Sequence, residues 1–314
     1  MSQTGKPRIA VIGSTNVDLV TYLKRMPKPG ETIAADSFAM GQGGKGANQA
    51  VAAAKLGADV VMVGAVGEDA FAGTTLAHLA GYGVDVSHIR RALGISSGVA
   101  SILVDPSGEN VIMIVAGANG TVSADDIRDA SADLMTCDLI LLQLEIPLAA
   151  VYAALEFGKK HGVKTLLNPA PATPALDPEK VNLASFLTPN ETELAILTGM
   201  PVETETEIAT AAKTLIAKGV GTVIVTMGSR GALLVEAQAV THIAPVKVSP
   251  VDTVGAGDAF VGAFARYYAS GLGVVPALKK ASAYAADSVT RRGTQDAYAT
   301  EAEFDRICAA PTNG

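Results

Sequence analysis

Tryptophan is absent from this chain, and aromatic residues reach only 4% of its 314 positions. Small residues take their place, which suits close packing of helices on a sheet. Cysteine occurs only twice, at Cys137 and Cys308. Two such positions form no disulfide framework and match no metal spacing, so reduced, structural thiols of a cytoplasmic protein are expected. The four histidines, His78, His88, His161 and His242, show no ligand spacing either. Positive charge is in deficit: 24 Lys and Arg stand against 31 Asp and Glu, a net −7, with no basic cluster. That argues against nucleic acid as a partner, although a nucleotide can still be held by backbone amides. Long apolar runs are missing. The most apolar stretch, Leu139 to Leu155, is broken by Gln143, Glu145 and Pro147, so no membrane span is expected. Met1 to Arg8 is polar, without the apolar region of a targeting signal, and a cytoplasmic location is expected.

What is present describes a folded chain, 49% apolar and 18% charged. No low-complexity linker or solenoid repeat divides it, and one domain over 1–314 is expected. Strand-length apolar runs alternate with helical patterns. Ile9–Ile12, Val60–Val63, Leu139–Leu142, Val163–Leu167 and Val223–Thr226 read as buried strands. Lys45–Leu56, Ala70–Leu79, Pro147–His161, Ala256–Tyr268 and Pro276–Thr290 read as helices. Ser123 is placed as a helix N-cap, and Thr204 to Glu207 and Thr300 to Glu303 as capping boxes. This rhythm implies an α/β fold, a doubly wound, mostly parallel sheet flanked by helices. Four segments fall outside it: Val17–Leu23, Glu31–Met40, and a hairpin of Gly98–Val104 and Asn110–Val115 about the turn Asp105–Gly108. They suggest a small β-sheet lid, inserted within about 16–42 and 97–117, that covers the carboxyl edge of the main sheet and offers a surface for a second subunit.

Four motifs can carry chemistry. In Val251-Asp-Thr-Val-Gly-Ala-Gly-Asp258, Gly255 and Gly257 allow close approach of a ligand, and the first helical amides point at an anion. Asp258 in the first turn is placed to take a proton from a hydroxyl; a Gly-rich turn with a dipole-stabilising Asp reads equally well on these residues alone. In Gly41-Gln-Gly-Gly-Lys-Gly-Ala-Asn48, Gly41, Gly43 and Gly46 fit G-x-G-x-x-G formally, with Glu68 about twenty residues on. The loop does not follow the first strand directly, as a dinucleotide site requires. Lys45 and Asn48 instead suit a hydroxyl-rich ligand such as a sugar. Asn16 and Asp18 lie at the carboxyl end of the first strand, where open α/β sheets place ligands, or form an Asx-turn there. Asn190 and Glu193 stand three apart at a helix start, suited to Mg²⁺ through water or to capping. Glu145 follows a strand, and Thr226-Met-Gly-Ser-Arg-Gly231 is a strand-end turn that could line a nucleotide.

Together these segments, from Ile9 to about Thr300, resemble the PfkB carbohydrate kinase family. Its two signatures are matched around Gly43-Gly-Lys-Gly-Ala-Asn-Gln49 and by Asp252-Thr-Val-Gly-Ala-Gly-Asp258. The order of Asn168-Pro-Ala-Pro171, Asn190-x-x-Glu193 and Gly228-Ser-Arg-Gly231 fits as well. The resemblance implies ATP-dependent phosphorylation of a sugar, with the 5-hydroxyl of D-ribose as the expected acceptor. It makes Asp258 the base and Gly255, Ala256, Gly257 and Asp258 the anion hole. It implies ribose contacts from Asn16, Asp18, Gly44, Lys45, Asn48, Glu145 and Asp258. ATP contacts are implied from Asn190, Thr226, Gly228, Ser229, Arg230, Gly231 and Gly257, with Mg²⁺ influenced by Asn190 and Glu193. A K⁺ ion is implied at Asp252 and the backbone of Val254, Ser288, Arg291 and Gly293. Ala297 departs from the hydroxyl residue that commonly closes that site. A homodimer through the lid is implied too. Alternatives are another sugar or nucleoside kinase of the family, acting on deoxyribose, fructose or adenosine. A non-catalytic sugar sensor and a dinucleotide oxidoreductase are further readings.

Overall fold

The computed structural model describes residues 5–107 and 109–309. Gly108 of the expected lid turn, and residues 1–4 and 310–314 at the ends of the expected domain, lie outside the described residues. The chain opens with β1 (Arg8–Ile12), then leaves the main sheet for β2 (Asn16–Tyr22) and β3 (Ser37–Gly43). It returns through α1 (Lys45–Lys55), β4 (Asp59–Val66), α2 (Ala70–Gly81) and β5 (Val84–Arg91). A second excursion forms β6 (Gly98–Val104) and β7 (Asn110–Val115). Two short helices, α3 (Ala124–Asp129) and α4 (Ser131–Leu134), lead into β8 (Leu139–Leu142), α5 (Leu148–His161) and β9 (Lys164–Leu167). There follow α6 (Pro178–Val181), β10 (Phe186–Leu187), α7 (Glu191–Thr198), α8 (Glu205–Ala217) and β11 (Thr222–Thr226). The hairpin β12 (Ala232–Val235) and β13 (Val240–Ile243) and the helices α9 (Ala256–Ala269), α10 (Val274–Ser288) and α11 (Glu301–Ala309) complete the chain.

Among the described residues the main sheet has nine strands in the order β13-β12-β11-β10-β9-β8-β1-β4-β5. All its pairs are parallel except the β11-β12-β13 edge. Alternation along β1 divides the core. Ile9 and Val11 join α1, α9 and α10 on one face, while Ala10 and Ile12 join α5 and α8 on the other. The strand order reverses between β1 and β8, which opens a crevice at their carboxyl ends. The expected doubly wound sheet is therefore present, as are the three expected helix caps at Ser123, Thr204 and Thr300.

The second sheet runs β3-β2-β6-β7, with β2 and β6 parallel and its outer pairs antiparallel. The expected strand from Glu31 begins only at Ser37. Glu31 instead closes a Pro-flanked loop, accepting from the Lys28 amide and the Arg25 guanidinium. Cys137 is buried and Cys308 exposed, both as free thiols; burial pushes the Cys137 thiol up to about 12. Among the described residues, no helix is long and apolar enough to cross a membrane.

Candidate functional site

Two helices meet the crevice, and small residues set how closely they approach. α1 buries Ala47, Ala50, Ala52 and Ala53. Gly262 of α9 lies so near α1 that a Cβ there would sit 2.6 Å from the Gln49 carbonyl oxygen. This contact carries Asn48 and Gln49 of α1 to Asp258 of α9. The Asn48 Nδ2 donates to one carboxylate oxygen of Asp258 and the Gln49 Nε2 to the other, both at 2.9 Å. Asp258 is 7% exposed. Its helix starts from Gly255, held at φ 76, where a side chain would be strained and would strike Thr294. The Tyr298 hydroxyl donates to the Gly255 carbonyl at 2.9 Å and fixes the turn. Burial, with Asp258 and Tyr284 nearby, holds that hydroxyl well above its ordinary pKa, so it stays a donor. The Ala256 amide is taken by the Thr253 carbonyl at 3.3 Å. The amides of Gly257 and Asp258 start the helix, where no earlier turn supplies an acceptor. A Cβ on Gly257 would meet nothing within 4 Å, so this glycine leaves open space before the amides.

That space is a cleft of about 210 Å³ whose lining includes Lys45, Asn190, Glu193, Thr226, Gly257 and Asp258. Thr188, also in its wall, has a buried hydroxyl without a hydrogen-bond partner among the described residues. Burial works to lower the Lys45 ammonium, but the carboxylates of Asp258, Glu145 and Glu193 outweigh it and hold its pKa above the ordinary value. Burial raises Glu193 against the Asn190 amide and Lys45. Asn190 and Glu193 form a capping box: the Asn190 Oδ1 accepts from the Glu193 amide, and the Glu193 Oε2 accepts from the Asn190 amide, both at 2.8 Å. Both residues nonetheless face the cleft, and Asn190 bridges to Thr226 at the end of β11. Gly228, Ser229 and Arg230 form a turn one residue beyond Thr226, after Met227 and outside the cleft lining, and Gly231 closes it at φ 90. Arg230 pairs with Glu191 there.

The crevice beside β1 and β8 gathers the expected sugar set. Glu145 accepts from the Ser14 hydroxyl at 2.5 Å and from the Lys45 amide at 2.9 Å, which ties the β8 end to the start of α1. Gly44 precedes that helix at φ 88, and a Cβ on it would lie 2.8 Å from the Asn16 amide nitrogen. Burial and the Glu145 charge raise Asp18 to about 6. The Asn16 Oδ1 accepts from Asn119 Nδ2 at 2.8 Å, which leaves its own amide group as a donor. Asn48 is more committed than a ligand contact alone requires: its Oδ1 accepts from Gln295 Nε2 at 2.9 Å. Ser14, Gln49, Asn119, Gln143 and Gln295 were not singled out from sequence. A buried glutamine within the Ala-rich α1 was the one available signal, since a polar group at a core position must find a partner.

The third group lies behind the Gly255 turn. Asp252 accepts from the Val254 amide and the Gly293 amide, each at 3.0 Å, and so clasps two loops. The Ser288 hydroxyl bonds within its own helix. Arg291 donates to Asp287 and to the Ala297 carbonyl. Glu68, the acidic residue of the formal dinucleotide pattern, accepts from the Gly94 amide in a turn, while Gly41 and Gly43 lie within β3 of the second sheet and Gly46 within α1. No group of three or more His, Cys, Asp or Glu among the described residues could hold a metal directly.

The sequence profile of the pfkB family of carbohydrate kinases matches residues 6–301. The deoxyribokinase of Salmonella typhi is 50% identical over 297 residues, covering 95% of this chain and 97% of that protein. The ribokinase of Mus musculus is 41% identical over 294 residues, covering 92% and 91%. The solved structure of Arabidopsis thaliana ribokinase complexed with ribose and ATP superposes at a TM-score of 0.90 with 33% identity, over 98% of this chain and 100% of that one.

Proposed function

This chain belongs to the pfkB family of carbohydrate kinases, and from that premise we propose that it transfers the γ-phosphoryl group of ATP to the 5-hydroxyl of a pentose, with 2-deoxyribose first and D-ribose second. The enzyme class is that of an ATP-dependent sugar kinase. The acceptor follows from two considerations. The 50% identity to a deoxyribokinase, against 41% to a ribokinase, favours 2-deoxyribose. The paired acceptor oxygens of Asp18, beside Asn16 and Glu145, suit a vicinal diol and favour ribose as the second reading.

The observation that carries the chemistry is the buried Asp258 carboxylate, braced on both oxygens and facing a cleft edged by helix-start amides. In this reading Asp258 takes the proton from the 5-hydroxyl as the oxygen–phosphorus bond forms. The bond to the β-phosphate oxygen breaks and ADP leaves with that electron pair. Developing charge on the phosphoryl oxygens meets the Gly255–Asp258 turn and the Lys45 ammonium. The sugar is held by Asn16, Asp18, Gly44, Lys45, Asn48 and Glu145. The nucleotide lies along Asn190, Thr226 and Gly228–Gly231. Magnesium bound with the nucleotide would supply charge neutralisation at the phosphates; with no three-acid cluster among the described residues, Asn190 and Glu193 would hold it through water. A potassium ion fits the oxygen donors of Asp252 and the backbone of Val254, Ser288, Arg291 and Gly293. We read the chain as one kinase domain with an inserted lid.

ADP release with ATP, Mg²⁺ and K⁺ against 2-deoxyribose, ribose, fructose and adenosine tests this. A higher kcat/KM for 2-deoxyribose supports the first reading and for ribose the second. Turnover only with fructose or adenosine overturns both. Asp258→Asn should lower kcat by about 10²–10⁴-fold with ATP still bound; near-normal turnover removes the base assignment.

A further inference from the structure

We propose that Gln295 is a positioning residue for Asp258, acting through Asn48 and itself oriented by His78. The proposal rests on Asp258 as the base. An ionised carboxylate only accepts hydrogen bonds, so Asn48 must turn its amide nitrogen towards Asp258. The Asn48 oxygen then faces Gln295, which must present its nitrogen, at 2.9 Å. The Gln295 oxygen in turn faces His78 Nε2 at 2.8 Å, and that nitrogen must carry a proton. Every group in the chain has one permitted orientation, and the donors all point towards the carboxylate.

Burial gives this polarity its force. Gln295 is 3% exposed and Asn48 7%, so a flipped amide would set two oxygens face to face without water to intervene. The other Asp258 oxygen is braced separately through Gln49, whose own oxygen accepts from Gln143 Nε2 at 2.6 Å. The two arms differ in origin. The Gln49 arm stays within the core, whereas Gln295 belongs to the loop after Gly293, which Asp252 clasps to the Gly255 turn. Gln295 therefore fixes one carboxylate oxygen from the loop that abuts the start of α9. The loop itself does not depend on this side chain for its path: Lys55 Nζ holds the carbonyls of Gln295 and Tyr298, at 2.9 and 2.7 Å.

The test is steady-state kinetics of Gln295→Glu, Gln295→Ala, His78→Ala and the His78→Ala/Gln295→Ala pair, with melting temperature and ATP binding measured alongside. A carboxylate at 295 cannot donate to Asn48 and forces its amide to turn. Gln295→Glu should lose about 10²-fold in kcat, the scale of a misplaced reacting group, with KM for ATP within about twofold. Gln295→Ala should lose less, and His78→Ala less again. Because both residues act through one chain, the pair should be no slower than Gln295→Ala alone. The proposal is overturned if Gln295→Glu keeps kcat within twofold, if the loss lies wholly in KM, or if the two alanine effects multiply. Asp258→Asn in the same assay separates the two levels. An active Asp258→Asn removes the base reading, whereas an inactive one beside normal Gln295 variants removes only the positioning role.

Discussion

Asp18 sits where its surroundings oppose its charge. Its carboxyl is raised to about 6 by burial, with the charge of Glu145 adding to the effect, against an unfolded value of 3.8. A raised carboxyl binds its proton more tightly in the folded state. The stability it lends is full below about pH 4 and is lost as pH rises through about 6. At pH 7 the side chain is a half-buried charge with no ion-pair partner among the described residues. Asp18→Asn should therefore stabilise the protein by about 1–2 kcal/mol at pH 7, after allowance for solvent screening, and by nothing below pH 4. Urea unfolding at the two pH values checks this. The same variant should raise the sugar KM by about tenfold or more, through loss of a charge-assisted acceptor; an unchanged KM would move the sugar elsewhere. Asp18, Lys45, Glu145 and Asp258 were legible in sequence because each stands in a Gly-rich or strand-end motif. Gln295 and Asn119 were not. Asn48 and Gln295 are 247 positions apart, and neither local pattern contains the other.

At the scale of elements, the parallel strands and the long helices were legible because each is a buried run or an Ala-rich amphipathic stretch. β5 escaped because its polar residues, Asp85, Ser87 and His88, interrupt the apolar run on an edge strand. The β12–β13 hairpin escaped because its strands are only four residues each. The Asn190–Glu193 pair reads both as a capping box and as part of the cleft, and the two uses are compatible, since each side chain offers more than one polar position. The loop from Gly293 to Ala297 offers a sharper test. Ala297 contributes only a carbonyl, which Arg291 occupies with two donors. If the ion held by Asp252 and its neighbours orders the Gly255 turn, replacing K⁺ by tetramethylammonium at constant ionic strength should lower kcat at least severalfold. Equal rates in both salts would mean that no such ion supports the turn.

For the molecule as a whole, the second sheet leaves much apolar surface uncovered. By register, Phe38, Met40, Leu19 and Met113 share the face opposite Asp18. Phe38 is 63% exposed, Met40 54% and Met113 52%. Apolar patches of this kind on soluble proteins mark contact surfaces, and a second copy of the chain is the occupant we favour. Met40→Glu with Met113→Glu should halve the mass measured by sedimentation while leaving the melting transition cooperative. A wild type that already sediments as a monomer would overturn the pairing.

The lid also bears on the order in which the chain can assemble. Its central pair joins Asn16–Tyr22 to Gly98–Val104, with β3, α1, β4, α2 and β5 strung between them. Two segments so far apart in the chain meet at a large entropic cost unless something has already drawn them together. The parallel trio β1, β4 and β5 does this, because β2 leaves from the end of β1 and β6 follows the end of β5. The second sheet should therefore form late in folding, on a scaffold whose three strands already lie side by side.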